Sequence, residues 1–344
     1  MKVLLSIFSV NESILHIQKS LESLGCEVEF IYSDSYRQVC PYYKKKMDEL
    51  GFHSGRQKYL KSIRDRFYYS LNNFQPDIVL FINTPKDVLS VEDVRYANHV
   101  SKTVCWFVDG IVGHPEIEEY LRAFRKIYVF EYGDVAYLHK MGLSGTYLPV
   151  GYNEAFSNVS PMEKKYEVLF IGSPFRNRLQ ILEKLSMAAV EKRWNLKIIG
   201  PFYDEKYPWK KLIFKRKYPY IYRFLENRRV SSEEAAKLYA ETKICLNIHD
   251  TRHKSPNPRT FEIMATGSFE LIDRRGYWGG LLPEKDVVEY MGEDDLIDKI
   301  GIYIANDSKR KEVAYRGNRN IVGKFDMKSL LVKVITDVMK IGEG

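Results

Sequence analysis

The chain has 344 residues, a length that favours two domains over one, and with 45% hydrophobic and 28% charged residues it has the composition of a folded protein rather than a disordered one. Lys and Arg exceed Asp and Glu by 53 − 45 = 8, and residues 209–229 alone hold eight basic residues against Glu226, a local excess of 8 − 1 = 7. The rest is nearly neutral, which argues against a generally basic, nucleic-acid-coating protein and leaves one local basic patch. No apolar run approaches the ~18–20 residues that would span a bilayer. The opening apolar run reads as a buried strand and not as a signal peptide, because Asn11-Glu12-Ser13 stands where a cleavage site would be. Cys26, Cys40, Cys105 and Cys245 are scattered without metal-ligand spacing, so neither disulfides nor structural zinc are expected, and a cytoplasmic location fits.

In chain order, short apolar runs alternate with longer amphipathic ones. Strands are expected at 3–8, 28–32, 78–82, 104–108, 127–130 and 147–150, each β-branched or aromatic and non-alternating, as in strands buried on both faces. A helix is expected over 12–24, closed by Gly25. The polar, Pro-bearing segment 157–165 reads as an interdomain linker. The alternation then restarts with strands at 166–171, 196–199, 244–248 and 269–272, helices at 178–190 and 260–265, and a helix start at Ser231. Such alternation predicts α/β architecture with helix-covered parallel sheets. The expected division is 1–156, 157–326, and a C-terminal helix within 327–344 that packs back on the first domain.

In open parallel sheets ligands bind beyond the carboxyl ends of the strands, so post-strand loops are the candidates. Gly172-Ser-Pro-Phe-Arg176-Asn-Arg178 leaves a strand and enters a helix, where backbone N–H groups and two guanidiniums suit a diphosphate. A tight turn with solvated arginines accounts for the same residues equally well. Gly200-Pro-Phe202 allows close backbone approach to a planar ring, or is a plain strand-end turn. The richest stretch runs from Asn247-Ile-His249-Asp250 to Asn257-Pro-Arg259-Thr-Phe-Glu262 and closes at Gly267. Arg259 and Glu262, three apart, share a helical face. They read as an intrahelical ion pair, or as a phosphate cation beside a carboxylate for two ribose hydroxyls.

Taken together, residues 168–178, 238–249 and 257–271 resemble the donor domain of GT-B glycosyltransferases, in particular the spore-maturation CgeB-like branch and group 1-like transferases. The likeness covers roughly 165–325; in the first half only Val104-Cys-Trp-Phe-Val-Asp109 shares a Trp…Asp segment. The resemblance implies a GT-B-like fold of two Rossmann-like domains, their parallel sheets facing each other across a cleft. It implies a glycosyltransferase using a UDP-, GDP- or dTDP-linked sugar as donor substrate, with no further cofactor. It places Glu262 on the ribose, Arg178 and Arg176 on phosphates, and Arg259 and Asn257 near the diphosphate or donor sugar; Gly172, Gly200 and His249 complete the candidate set. Glu262 and Glu270 imitate the Glu-x7-Glu pair of many retaining enzymes, but aligned on the Ala265-Thr-Gly267 turn the partner of Glu262 is Lys254. No DxD motif follows a strand, so no metal is expected.

The acceptor side offers Asp109, directly after a strand, and His114 in Gly110-Ile-Val-Gly-His-Pro115, as candidates for the catalytic base. Helix capping by Asp109 with an incidental His114 is an equally good account. The expected acceptor is a bacterial surface glycan, glycolipid or glycoprotein. Two other readings remain: a nucleotide-sugar epimerase on the same fold, and a nucleic-acid-binding protein using the basic aromatic segment. That segment, interrupted by Pro219, equally suits docking on an anionic membrane at the cytoplasmic face.

Overall fold

The computed structural model describes residues 1–7, 12–32, 36–84, 86–111, 117–250 and 253–340. The chain divides into two units, one of Met1–Val150 with the segment from Met327 onward, the other Gly151–Asp326. The division falls at Val150/Gly151 rather than at 156/157, because Tyr152 and Phe156 are buried in the second unit and Tyr152 bridges to Asp326. Segment 157–165 accordingly runs along that second unit, where the N–H of Lys165 donates to the Glu241 carbonyl at 2.7 Å.

The first unit holds β1 (Lys2–Ile7), β2 (Glu27–Tyr32), β3 (Ile78–Ile82), β4 (Lys102–Phe107), β5 (Lys126–Val129) and β6 (Gly145–Tyr147), in the spatial order β2-β1-β3-β4-β5-β6, parallel throughout. All five residues of β3 are buried, as its unbroken apolar run requires when both faces are covered. Trp106 on β4 is buried, and its indole N–H donates to the Leu148 carbonyl at 3.2 Å. The C-terminal helix Met327–Met339 joins this unit through the Tyr128 hydroxyl, which donates to Asp337 at 2.9 Å.

The second unit holds β7 (Tyr166–Ile171), β8 (Leu196–Ile199), β9 (Leu225–Glu226), β10 (Thr242–Asn247), β11 (Glu270–Asp273) and β12 (Val288–Tyr290), in the order β12-β11-β10-β7-β8-β9, again parallel. Both sheets and their parallel sense agree with the expectation from alternation. The two-residue β9 and three-residue β12 went unanticipated, since runs that short carry no period. The chain leaves β7 toward β8 and β9, then returns to the other side with β10, so the order reverses between β7 and β10. Ligands settle at such switch points in open parallel sheets, beyond the carboxyl ends of the strands. In unit 1 the reversal lies between β1 and β3.

Candidate functional site

At the switch point of the second unit, β7 ends at Ile171 and the chain turns through Gly172 into the helix Arg176–Lys192. No side chain caps that helix; Phe175 stands at its N-cap. Its first-turn N–H groups and the positive end of its dipole therefore face the strand ends, an arrangement suited to an anion. Gly200, after β8, meets this loop directly: a Cβ there would lie 2.0 Å from the Gly172 carbonyl oxygen. The glycine is thus required by contact between two strand-end loops, a reason apart from both the ring approach and the plain turn expected of Gly200.

Beyond β10 a network of side chains holds the loop into the helix Pro258–Ala265. Asn247, fully buried, has its Nδ2 within hydrogen-bond distance of Asn257 Oδ1 at 2.9 Å, Glu270 Oε1 at 2.8 Å and Thr260 Oγ1 at 3.1 Å, its two hydrogens shared among the three oxygens. Asn257 caps the helix through the N–H of Thr260. His249 is 1% exposed; its Nδ1–H donates to Asp273 at 2.8 Å, and its Nε2 accepts the backbone N–H of Asn257 at 3.0 Å. The second contact requires an unprotonated Nε2, so the ring is neutral with its proton on Nδ1. Burial pushes its pKa down to about 4, outweighing the pull of Asp273. Both ring nitrogens are therefore committed, and His249 positions the loop instead of facing a ligand, a change from its place among the candidate ligand contacts. Burial moves Glu270 the other way, up to about 7. Gly267 has φ +68°, the left-handed conformation its tight turn into β11 needs.

Three guanidiniums converge on these loops in different states. Arg178 is 5% exposed; its Nε donates to the Ile248 carbonyl at 2.7 Å and its Nη1 to the Ser173 carbonyl at 3.1 Å, and it lies 4.6 Å from the Phe175 ring centre. It thereby ties the loop after β7 to the end of β10. Burial, then the like charge of Arg259, pushes its pKa down to about 10 against the opposing pull of Asp250 and Asp273, so it stays charged at neutral pH. Arg176 is exposed on the first turn of its helix. Arg259 and Glu262 both lie on the helix Pro258–Ala265, three residues apart, as neighbours along its surface.

Asp273 and Arg275 were missed as site residues. Arg275 donates to both the carboxylate and the backbone carbonyl of Asp273 and, at 2.6 Å, to the His253 carbonyl, so it braces the same loop. The available signal was a strand running straight into Asp273, the pattern that singled out Asp109. In unit 1, Asp109 is exposed just beyond β4 and accepts the N–H of Gly110 at 3.0 Å, while His114 lies outside the described residues. Asp134, also missed, is buried and accepts the N–H of Ile111 at 2.9 Å, and Asn83 Oδ1 accepts the N–H of Val108 at 2.9 Å. These two contacts hold the loop that carries Asp109. Among the described residues no group of three or more His, Cys, Asp or Glu side chains is arranged to hold a metal ion.

Residues 176–335 match the model of a family described as glycosyl transferase-like. The whole chain is similar to a glycosyltransferase of Rickettsia africae, with a TM-score of 0.70 at 13% identity over 99% of both chains. The chain has the GT-B glycosyltransferase fold. A second GT-B neighbour is HepE of Anabaena, solved with UDP and glucose: TM-score 0.63, 12% identity, 98% of this chain and 99% of that one. A third is the lipopolysaccharide outer core galactosyltransferase WaaB, with TM-score 0.60 and 16% identity over 98% of this chain and 99% of that one. No curated protein sequence matches the chain significantly. The family match agrees with the resemblance to group 1-like transferases.

Proposed function

We propose that this protein transfers a sugar from a nucleoside diphosphate sugar to an acceptor hydroxyl. The observation that carries the reading is the β7/β10 switch point itself, where the uncapped start of the Arg176–Lys192 helix and the exposed Arg176 lie beyond the strand ends on a loop that the buried Arg178 holds in place. A diphosphate seated there meets the Arg176 guanidinium and the first-turn N–H groups of that helix. In this reading the acceptor oxygen attacks the anomeric carbon and the bond from that carbon to the diphosphate breaks. The acceptor proton passes to a base, with Asp109 and His114 the candidates, and the charge left on the diphosphate is met by the guanidiniums and the Arg176–Lys192 helix terminus. UDP-linked sugars are the first donors to test, given the UDP and glucose held by the Anabaena neighbour. The acceptor belongs to the glycan, glycolipid or glycoprotein class.

Glu262 serves the ribose hydroxyls in this reading. Glu262→Ala is expected to weaken UDP binding by about 1.5–3 kcal/mol, the range for hydrogen bonds to a charged group, with the melting temperature held. Calorimetric titration that finds unchanged UDP affinity in the folded variant removes Glu262 from the site. Transfer is expected to continue in excess EDTA, because guanidiniums and a helix terminus take the part a divalent ion would play on the diphosphate. Loss of activity in chelator, restored by Mg²⁺ or Mn²⁺, overturns that expectation. Sugar isomerisation in the absence of any acceptor points to an epimerase instead.

A further inference from the structure

The helix Pro208–Lys217, which follows β8, turns one small side of itself into the protein and the rest outward. Phe214 is its one buried residue, packed on Phe202 and Tyr203. Trp209, Leu212 and Ile213 are 57%, 69% and 61% exposed. At about 100° per residue these three form one stripe on the side away from Phe214. Lys211 and Lys215 flank the stripe on one edge, Lys210 and Lys217 on the other, and Arg216 lies within it. Lys210 reaches Asp204 only at 3.7 Å, and the other four cations have no carboxylate partner among the described residues. Lys210 and Lys217 also edge an open groove of about 500 Å³ walled by Phe202, Phe214 and Tyr218.

We propose that this helix docks the protein on the surface of an anionic lipid bilayer, its apolar stripe at the headgroup–acyl boundary and its cations on lipid phosphates. Charge complementarity calls for a polyanion, and the apolar stripe selects among polyanions. Nucleic acid is gripped by flat rings that stack on bases, whereas two of the three stripe residues, Leu212 and Ile213, are aliphatic and the most exposed of the three, and they gain by entering a bilayer, as does the amphipathic ring of Trp209. Among the described residues no helix is long and apolar enough to cross a membrane, so the contact is with the surface. Because the helix follows β8 and borders its carboxyl-end loop at Phe202, docking brings a lipid surface to the end of the sheet that carries the switch-point loops. The inference does not depend on the donor assignment.

The test is co-sedimentation of the full chain with phosphatidylglycerol/phosphatidylcholine vesicles and with phosphatidylcholine alone, at low and high salt. Binding is expected for the anionic vesicles only, and it weakens with salt. Each neutralised cation should reduce low-salt binding about fivefold, so Lys211→Gln/Lys215→Gln/Arg216→Gln/Lys217→Gln should all but abolish it. Leu212→Ser/Ile213→Ser should reduce binding with unchanged melting, since both side chains are exposed. Brominated lipid should quench wild-type tryptophan fluorescence, and Trp209→Phe should remove that quenching. The helix Tyr42–Glu49 of unit 1 exposes Tyr43 and Met47 beside Lys44, and Tyr43→Ser/Met47→Ser serves as the control. No vesicle binding at low salt, binding that survives both helix variants, or loss in the control variant alone overturns the proposal; so does tight capture of single-stranded RNA by a protein that ignores vesicles.

Discussion

Arg178→Ala should lower the unfolding free energy by about 1.5–3 kcal/mol, because it leaves the Ile248 and Ser173 carbonyls without their charged donor. The same variant should bind nucleoside diphosphate poorly, since the loop after β7 loses its tie to β10. Arg178→Lys keeps the charge but not the planar fork that reaches both carbonyls and stacks on Phe175, so it should recover little of the stability. Arg176→Ala provides the contrast. Arg176 is exposed, so melting should stay at the wild-type value while affinity for the diphosphate falls and affinity for the free nucleoside does not. Chemical denaturation and calorimetry on the three variants separate the two arginines. If Arg178→Ala melts like the wild type, the bracing role is wrong; if Arg176→Ala loses nucleoside and diphosphate binding equally, Arg176 does not meet the phosphates.

A second large effect should appear as a difference between pH profiles. His249 is held neutral down to about pH 4, against 6.5 for an ordinary imidazole, so the stability it contributes is present above pH 6.5 and is lost as pH falls through 4. Glu270 titrates near 7 in place of 4.5, so its contribution is present below pH 4.5 and is lost as pH rises through 7. Between pH 4.5 and 6.5 the two slopes oppose each other, and the wild type should show little net change from this pair. Glu270→Gln keeps the shape and removes one slope, leaving the His249 term exposed. Its stability should rise with pH across that window by about 3 kcal/mol relative to the wild type. His249→Asn should show the reverse, with stability falling as pH rises toward 7. Urea midpoints at a series of pH values measure both. Profiles for Glu270→Gln and the wild type that run parallel would show that Glu270 titrates normally.

Much of the architecture is legible in the residues themselves. The unbroken apolar run of β3 appears at 78–82, as a strand covered on both faces requires, and β7 and β8 appear at 166–171 and 196–199 as apolar runs with one charged residue each near their starts, Glu167 and Lys197. The helix ends at Asn257 and Ser231 follow from side chains that accept a first-turn N–H, a contact between near neighbours in the chain. The turn at Gly267 follows from a backbone angle that only glycine adopts without strain. The basic segment breaks at Pro219 for a reason just as local, the missing N–H and the fixed φ.

What each of those residues faces belongs to another scale. Arg176 and Arg178 look alike in the sequence, two residues apart before the same helix, yet one is exposed and the other is enclosed against a carbonyl seventy residues away. His249 looks like a strand-end ligand until Asp273 and Asn257 close on its two nitrogens. The order β12-β11-β10-β7-β8-β9, which places the switch point between β7 and β10, has no signature in any one strand. By itself the sequence determined the longer strands, their parallel sense, the helix start at Ser231 and the residue types available at strand ends, because propensity, period and capping act within a few residues. Only the tertiary structure decided which strands are neighbours, which guanidinium braces and which one is free to meet a ligand, and which side of the Pro208–Lys217 helix faces outward. Those outcomes rest on burial and on hydrogen bonds between segments far apart in the chain, and both come into being only when the sheet assembles.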